Sequence, residues 1–338
     1  MPSSASKQKV VIPSVAQVSL DIPYLAHLAD NFCAGNIATA FTQWQQLTSD
    51  QFLLDLIKHG LKLNFITPPS PKLPHVYHMK SADKLLIDQE VNKLKMKGVI
   101  QPSPPLPTDY FSPIFTRENK DGTTRLLLNL KELNENIEHL HFKMENFDCV
   151  TNMVHQGCWM ASVDLKSAYY SVPIYAQHRK YLKFYWDQSY VFNVLPNGYK
   201  DAPRIFTKLM KPVFSHLRSL GFLSVIFLDD TYLQGDSYSS CRQNLTETIG
   251  LLQKLGFTIH PDKSCLTPTQ KIEFLGFIVD SESMQVTLPT RRRDKLKAMC
   301  KLVLSKSTYT IRLVARLIGS MVATSHAVAL AQFFLPCY

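Results

Sequence analysis

Apolar positions recur at helical spacing in several parts of the chain and predict its helices. The clearest stripe has the spacing of one helix face and comprises Phe206, Leu209, Met210, Val213, Phe214 and Leu217. Asp201 and Pro203 lie at the cap and first-turn positions, where these residue types favour the start of a helix, and Gly221 favours its end. Weaker patterns predict helices at about 30–60, 81–98 and 239–255, and two basic helices after 289.

Apolar and alternating runs predict the strands. These runs lie at 159–164, 190–195, 224–233, 257–259 and 272–278. The run at 224–233 is interrupted by the adjacent acids Asp229 and Asp230, which predicts a hairpin with both acids at its turn. The order strand, helix, strand, strand, helix, strand is that of a split βαβ unit. We therefore expect an α+β domain with an antiparallel sheet.

Three acidic residues are expected to meet on this sheet. The strand that ends at Asp164 can lie beside the hairpin that carries Asp229 and Asp230. Neighbouring carboxylates repel one another unless a cation sits between them, and Mg²⁺ prefers carboxylate oxygen. Two such ions would activate a primer 3′-hydroxyl and hold a nucleoside triphosphate, which is the chemistry of template-directed polymerisation. The alternative, acids that stay hydrated at a surface turn, is open at this point.

A triphosphate clamp is a second candidate feature. The dipeptide Asp121-Gly122 is a strong hairpin signal, and Lys120 and Arg125 flank it. One lysine and one arginine on the same hairpin tip can neutralise a triphosphate. A solvated turn is the alternative interpretation, and for a lone hairpin it is the more common one.

The positive charge of the chain is concentrated near its end. The formal net charge is +10, and nine basic residues with one acidic residue lie between Thr287 and Arg316. A solvated helix face usually carries interleaved acids, so this block favours binding to a polyanion such as a nucleic-acid backbone.

Composition and motifs argue against several other classes. The seven cysteines are scattered and never form a C-x-x-C pair, which favours reduced thiols inside the cell, in cytoplasm or nucleus, over a secreted protein or a zinc knuckle. The pairs His75/His78 and His139/His141 lack nearby cysteines, so a metal role there is disfavoured. We expect no secretory signal and no membrane span, because no apolar run is long enough.

Six sequence blocks resemble the reverse transcriptases of retrotransposons and retroviruses. The blocks are KDGTTRLLLNLKELN at 120–134, SVDLKSAYYSVP at 162–173, VLPNGYKDAPRIF at 194–206, FLDD at 227–230, LGFTIHPDKS at 255–264 and FLGF at 274–277. The flanking segments resemble tyrosine-recombinase elements of the DIRS type more than gypsy-type elements. The resemblance implies a right-hand polymerase fold with fingers, a palm built on the split βαβ sheet, and a helical thumb/connection.

The resemblance also implies roles for individual residues. Asp164 and Asp229 would ligate two Mg²⁺ ions, for which Mn²⁺ can substitute, with Asp230 completing the acidic site and the Leu165 backbone adding a carbonyl. Phe227 replaces the tyrosine that is usual in this box, which should adjust primer contacts and leave metal binding intact.

The remaining implied roles concern the nucleotide and the primer. Residues that match nucleotide-binding positions are Lys120, Arg125, Tyr169, Asn197, Gly198 and Lys263. Tyr169 matches the aromatic gate that excludes a 2′-hydroxyl, and Lys263 matches a lysine that protonates the leaving pyrophosphate. Phe274, Leu275 and Gly276 match the primer grip. Asn197 departs from the family's pattern, since many relatives carry Gln or Phe at this position.

The resemblance predicts the layout and partners of the chain. We expect an N-terminal helical extension at 1–60, fingers at 61–150, a palm at 151–280 and a truncated basic thumb/connection at 281–338. Expected partners are an RNA template, an RNA/DNA duplex, dNTPs and other segments of an element polyprotein. We expect no ribonuclease H here, since few acids follow Asp280.

The sequence leaves two alternatives to an RNA-directed DNA polymerase open. A degenerate or domesticated copy would bind nucleic acid without synthesis, which the intact acids at 164, 229 and 230 argue against. An RNA-dependent RNA polymerase would share the palm chemistry, and Tyr169 argues against it because a bulky gate disfavours ribonucleotides.

Overall fold

The structure is a computed structural model that describes residues 32–74, 81–118, 122, 124–305 and 308–327, without the side chains of 81–83. Lys120 and the His75/His78 pair therefore lie outside the described residues. The described residues form helices at the following positions: α1 Phe41–Leu47, α2 Gln51–His59, α3 Ser81–Met96, α4 Lys131–Glu135, α5 Phe147–Met153, α6 Ala202–Ser219, α7 Tyr238–Lys254, α8 Thr290–Leu304 and α9 Ile311–Val322. Each of these helices is too short or too polar to cross a lipid bilayer.

The strands are short and form four sheets. Their bounds are β1 Ile100–Pro102, β2 Ile114–Glu118, β3 Thr124–Leu128, β4 Trp159–Asp164, β5 Lys183–Tyr185, β6 Ser189–Phe192, β7 Leu223–Phe227, β8 Asp230–Gly235, β9 Cys265–Thr269, β10 Lys271–Phe274, β11 Phe277–Asp280 and β12 Gln285–Thr287. The largest sheet has the order β7-β8-β4-β9, and the others are β1-β6-β5, β2-β3 and β10-β11-β12.

The largest sheet has the predicted split βαβ pattern. All its strand pairs are antiparallel, and the chain visits β4, α6, β7, β8, α7 and β9 in turn. The apolar stripe of α6 predicted from the sequence is buried in the main core. Asp201 precedes this helix as expected, but its two carboxylate oxygens accept from Nε and Nη2 of Arg204, each at 2.6 Å. The carboxylate accepts no hydrogen bond from the helix backbone.

The fourth strand of this sheet lies later than predicted. The segment 257–259 is not a strand: Phe257 and Ile259 are buried in the main core, and Ile259 makes only an isolated bridge to Leu165. The strand is Cys265–Thr269, at the edge of the sheet. An edge position tolerates Pro268, because a proline there removes no hydrogen bond that a central strand would need.

The predicted strand 272–278 is divided into two. Leu275 and Gly276 have φ values of 47° and 77°, in the left-handed region, and they turn the chain between β10 and β11. These two strands and β12 form a separate small sheet, which precedes the basic helices α8 and α9.

The segment before residue 61 is packed into the main core. The Trp44 side chain is fully buried, and its indole Nε1 donates to the carbonyl oxygen of Leu255 at 3.1 Å. Asn36 Nδ2 donates to the oxygen of Gly256 at 3.3 Å. A Cβ at Gly256 would lie 2.6 Å from the Asn36 oxygen, so this close approach requires glycine. These contacts thus fix α1 and the residues before it against the end of α7.

Candidate active site

The structure brings the three predicted acids together at one end of the largest sheet. Asp164 is the last residue of β4 and lies opposite Asp230, the first residue of β8. Asp229 occupies the two-residue turn between β7 and β8, and its carbonyl oxygen accepts from the Leu165 N–H at 3.0 Å. Leu228, the other turn residue, has a φ of 57°. A branched side chain seldom adopts this conformation, and strain of this kind concentrates at functional sites.

The backbone of Asp164 is held from a second direction. Its N–H donates to Ser264 Oγ at 2.9 Å, and its carbonyl oxygen accepts from the His260 N–H at 2.8 Å. Ser264 Oγ in turn donates to the His260 oxygen at 2.8 Å. The loop after α7 therefore fixes the end of β4, so the carboxylate of Asp164 is positioned by a rigid backbone.

Burial and mutual repulsion disturb the ionisation of these acids. Burial raises the pKa of Asp164 to about 6, with a further increase from the charge of Asp229 and an opposing effect from Lys263. Burial, followed by the charges of Asp229 and Asp164, raises the pKa of Asp230 to about 6. The side chains of Asp164 and Asp230 share a hydrogen bond. The pair thus retains a proton more readily than an ordinary aspartate.

These residues fit a divalent cation by their chemistry. No group of three or more His, Cys, Asp or Glu within the described ranges is already spaced as a metal site. The three carboxylates are nevertheless the oxygen ligands that Mg²⁺ prefers. A cation would replace the proton that Asp164 and Asp230 share and would relieve the repulsion that raises both pKa values. Asp164, Asp229 and Asp230 are the residues that could hold it.

The acids open into a cleft of about 390 Å³. Asp164 and Asp229 line it together with four other residues predicted from the sequence, and these four are Arg125, Tyr169, Asn197 and Lys263. Leu165 is also among the residues that line the cleft. Acids and cations thus line the same cleft, a combination that suits a polyphosphate bound through metal ions.

Tyr169 lies between the acids and the main core. Its ring makes an edge contact with Phe206 of α6, with centroids 5.6 Å apart. Burial, assisted by the charge of Asp229, raises the pKa of Tyr169 to about 12, so the phenol stays neutral. Asn197 makes a side-chain hydrogen bond with the neighbouring Tyr170. Gly198, with a φ of 93°, accepts from Asn134 Nδ2 at 2.8 Å through its oxygen.

The residues compared with a primer grip lie at the turn between β10 and β11 and outside the lining of this cleft. Phe274 is buried, and its ring lies 5.6 Å from that of Tyr232 in β8. The oxygen of Gly276 accepts from Arg292 Nη1 at 2.8 Å, and Arg292 Nη2 donates to the Ala323 oxygen at 2.6 Å. Arg292 therefore connects the turn to both C-terminal helices.

Several cleft residues were not predicted from the sequence. Glu90 and Lys93 lie on α3, Lys97 follows its last residue, and Lys166 and His260 approach from loops beside Asp164. Burial, followed by the charge of Lys166, lowers the pKa of Lys97. The helical spacing of the charged residues of α3 was a visible signal, but nothing local showed that this face meets the cleft.

Comparisons with known proteins agree with this geometry. Residues 117–279 match the family described as reverse transcriptase (RNA-dependent DNA polymerase). The chain is 22% identical over 177 residues to the Pro-Pol polyprotein of simian foamy virus type 1, covering 52% of the chain and 15% of that protein. It is 26% identical over 194 residues to the enzymatic polyprotein of soybean chlorotic mottle virus, covering 55% and 27%. A Pol polyprotein from transposon 412 of Drosophila melanogaster is 26% identical over 177 residues, covering 50% and 14%. The chain thus spans well under a third of these relatives.

Solved structures show the fold. A foamy viral protease-reverse transcriptase in complex with double-stranded DNA superposes with a TM-score of 0.64 at 18% identity, covering 95% of this chain and 54% of that one. The same type of protein in complex with an RNA/DNA hybrid gives a TM-score of 0.61 at 18% identity, covering 95% and 41%. The α+β polymerase fold predicted from the sequence is confirmed.

Proposed function

We propose that this chain is an RNA-directed DNA polymerase that transfers nucleotides from dNTPs to a primer 3′-hydroxyl with the help of two Mg²⁺ ions. The observation that carries the proposal is the meeting of Asp164, Asp229 and Asp230 at the end of one sheet, beside a cleft that cations also line. The family match over residues 117–279 supports it independently.

The acids supply the site for the ions. Asp164 and Asp229 would hold both ions, Asp230 would complete the acidic cluster, and the Leu165 carbonyl would add a ligand. Mg²⁺ ions bound there, or Mn²⁺ in their place, would lower the pKa of the attacking hydroxyl and stabilise the departing pyrophosphate. Ser264 and the backbone of His260 keep the end of β4 in place, so the ligands need little rearrangement.

The cations of the cleft act on the triphosphate. Arg125 is exposed at the start of β3 and lines the cleft, where it can form two parallel hydrogen bonds to phosphate oxygens. Lys120, outside the described residues, would act beside it. Lys263 lies close enough to Asp164 and Asp230 to affect their ionisation, and from there it can donate a proton to the leaving pyrophosphate.

Tyr169 is proposed to select the sugar. Its ring is backed by Phe206 and cannot retreat without disturbing the core, so it would collide with a ribose 2′-hydroxyl. Asn197 and Gly198 would border the same nucleotide. Ribonucleotide incorporation by a Tyr169→Ala variant, beside a parent that rejects ribonucleotides, tests this role. Incorporation of ribonucleotides by the parent would instead favour an RNA-dependent RNA polymerase.

The duplex is proposed to lie between the β10-β11 turn and the basic helices. Phe274, Leu275 and Gly276 would contact the primer, and α8 would contact the phosphate backbone. The foamy viral proteins with this fold were solved with double-stranded DNA and with an RNA/DNA hybrid, which supports a template and duplex as partners.

We further propose the layout expected from the sequence: an N-terminal extension, fingers, palm and thumb with boundaries near 60, 150 and 280. The chain would act as part of an element polyprotein, in keeping with the polyproteins among its relatives. Within retrotransposons we favour the DIRS type over the gypsy type on the sequence of the segments that flank the matched region.

Primer extension on poly(rA)·oligo(dT) tests the proposal. We expect Mg²⁺-dependent synthesis by the parent protein and a loss of about a thousandfold with Asp229→Asn, because a ligand of the ions disappears while the side-chain volume is kept. Asp236→Asn is the matched control, since this residue follows the other end of β8 and is exposed. Undiminished synthesis by Asp229→Asn would refute the mechanism.

The competing function is nucleic-acid binding without synthesis by a degenerate or domesticated copy. It predicts that the parent extends no primer and that binding survives alanine at 164, 229 and 230. A filter-binding experiment run beside the extension assay separates the two functions.

A further inference from the structure

A second groove lies on the opposite side of α6 from the catalytic cleft. It has a volume of about 660 Å³ and shares no lining residue with the cleft. Its walls are the outer face of α6, the loop between α1 and α2, and the segment 141–143. One face of α6 carries Phe206 against Tyr169 of the cleft, so this helix separates the two cavities.

The groove is strongly basic. Four cations line it against one acid, Asp50, and these cations are Lys143, Arg204, Lys208 and Lys211. His141 adds a further nitrogen group. Several like charges around one concave surface focus the positive potential there, and this potential attracts an anion.

Two of these cations are already neutralised and two are not. Arg204 pairs with Asp201, and Lys208 lies 3.4 Å from Asp50. Across the part of the chain that the structure describes, neither Lys143 nor Lys211 forms an ion pair. Both are exposed, so their charge is available to a ligand.

Aromatic rings accompany the charges. Phe142 lines the groove and is 39% exposed, so part of its ring is accessible to a ligand. Phe52, 40% exposed, lies beneath the Lys208 ammonium, 4.0 Å from the ring centroid. An accessible ring such as that of Phe142, set among lysines, is an element of a surface that stacks unpaired bases while holding their phosphates.

We propose that this groove is an accessory binding site for single-stranded nucleic acid, separate from the catalytic cleft. Lys143 and Lys211 contact phosphates, and Phe142 stacks against a base. A duplex keeps its bases stacked inside, so it could offer Phe142 only its backbone, whereas an unpaired strand offers a base face. An acidic peptide would use the lysines but would leave Phe142 without a stacking partner.

The test measures binding of a fluorescent oligo(rU) by the full chain in EDTA, by anisotropy over a range of salt concentrations. The variant Lys143→Glu/Lys211→Glu should lose at least tenfold in affinity, and the slope of log K against log salt should become shallower by about 1.4, because two phosphate contacts disappear. The control Lys84→Glu/Lys254→Glu makes the same charge change at exposed lysines outside both cavities and should retain the parental slope.

The role of the ring is tested separately. Phe142→Leu should weaken binding about tenfold, while Phe142→Tyr should bind as the parent does, because tyrosine keeps the stacking face. A photoreactive 4-thiouridine oligonucleotide should crosslink within 141–143 or to the outer face of α6. Crosslinks confined to the catalytic cleft, or equal losses in the two double variants, would overturn the proposal.

Competition identifies the class of ligand. If oligo-glutamate displaces oligo(rU) at equal charge and Phe142→Leu has no effect, the groove binds acidic peptides and the nucleic-acid assignment is wrong. These measurements need neither dNTPs nor metal ions. Failure of the accessory site is therefore distinguishable from failure of the proposed polymerase, which is read from primer extension.

Discussion

Arg292 offers the sharpest test of how the C-terminal helices act on the primer. Its guanidinium donates to Gly276 in the β10-β11 turn and to Ala323 at the end of α9, and it lies 4.9 Å from the ring centroid of Phe277. The planar fork of arginine serves both carbonyls at once. Lysine at this position keeps the charge but has no fork, so Arg292→Lys can keep only one of the two bonds in good geometry.

The magnitude follows from these contacts. A hydrogen bond from a charged donor contributes about 1.5–3 kcal/mol, and the partial exposure of Arg292 places each bond near the lower value. Loss of one bond, about 1.5 kcal/mol, lowers the population of the docked turn about tenfold. Arg292→Ala loses both bonds and the ring contact, so its effect should be larger. Primer affinity and the length of products made in one binding event should fall, while the rate of the first addition should change little.

The assay is single-cycle primer extension with a heparin trap, combined with titration of primer–template. Arg291→Lys is the matched control, because it is the same substitution at the exposed neighbour of Arg292 on α8. Shorter products and weaker primer affinity are expected for Arg292→Lys alone. If the two variants behave alike, Arg292 is one phosphate contact among many and its proposed connecting role is wrong.

Four further predictions concern stability, measured by urea unfolding. Trp44→Phe should cost about 1–3 kcal/mol, because the carbonyl at the end of α7 loses its buried donor. His178 accepts from the Leu63 N–H at 2.9 Å, and burial with two nearby lysines lowers its pKa. The unfolded state then binds the proton first, so the contribution of His178 to stability should fall as pH drops below about 6.5. Asp164 and Asp230, with raised pKa values, act in the opposite direction, so the quantity to measure is the stability of the parent minus that of His178→Gln, which should decrease over this range. Gly235→Ala should cost about 1–3 kcal/mol, since its Cβ would lie 2.4 Å from a backbone nitrogen of α7. Gly250→Ala, with open space around it, should stabilise α7 by about 0.5–1 kcal/mol.

The parts of the site that could be predicted depend on patterns that are local in the sequence. Apolar runs ending in acids marked β4 and the β7-β8 hairpin, and the order of the elements then required these strands to be neighbours. The acids at 164, 229 and 230 could thus be placed together without coordinates. The stripe of α6 was equally clear, because a buried helix face requires apolar residues at fixed spacing.

The parts that could not be predicted depend on packing between distant segments. Nothing in the sequence around Lys97 shows that α3 borders the cleft. The basic block after Thr287 predicts a positively charged surface, but it does not show which of its residues points inward. In the structure that residue is Arg292, whose guanidinium packs against the Phe277 ring. The edge strand Cys265–Thr269 was missed because its proline is a poor strand signal, and only its edge position makes it acceptable.

The order of strands in the largest sheet has a consequence for synthesis of the protein on the ribosome. Strand β4 lies between β8 and β9, so both of its neighbours are translated long after it. Trp44 is translated earlier still, and its hydrogen-bond partner Leu255 follows 211 residues later. A nascent chain that stops before β9 exposes one edge of β4 to unwanted pairing, and domains rich in such distant contacts fold slowly. Chaperone protection during elongation should therefore matter most for ribosome-bound chains that end between residues 165 and 265.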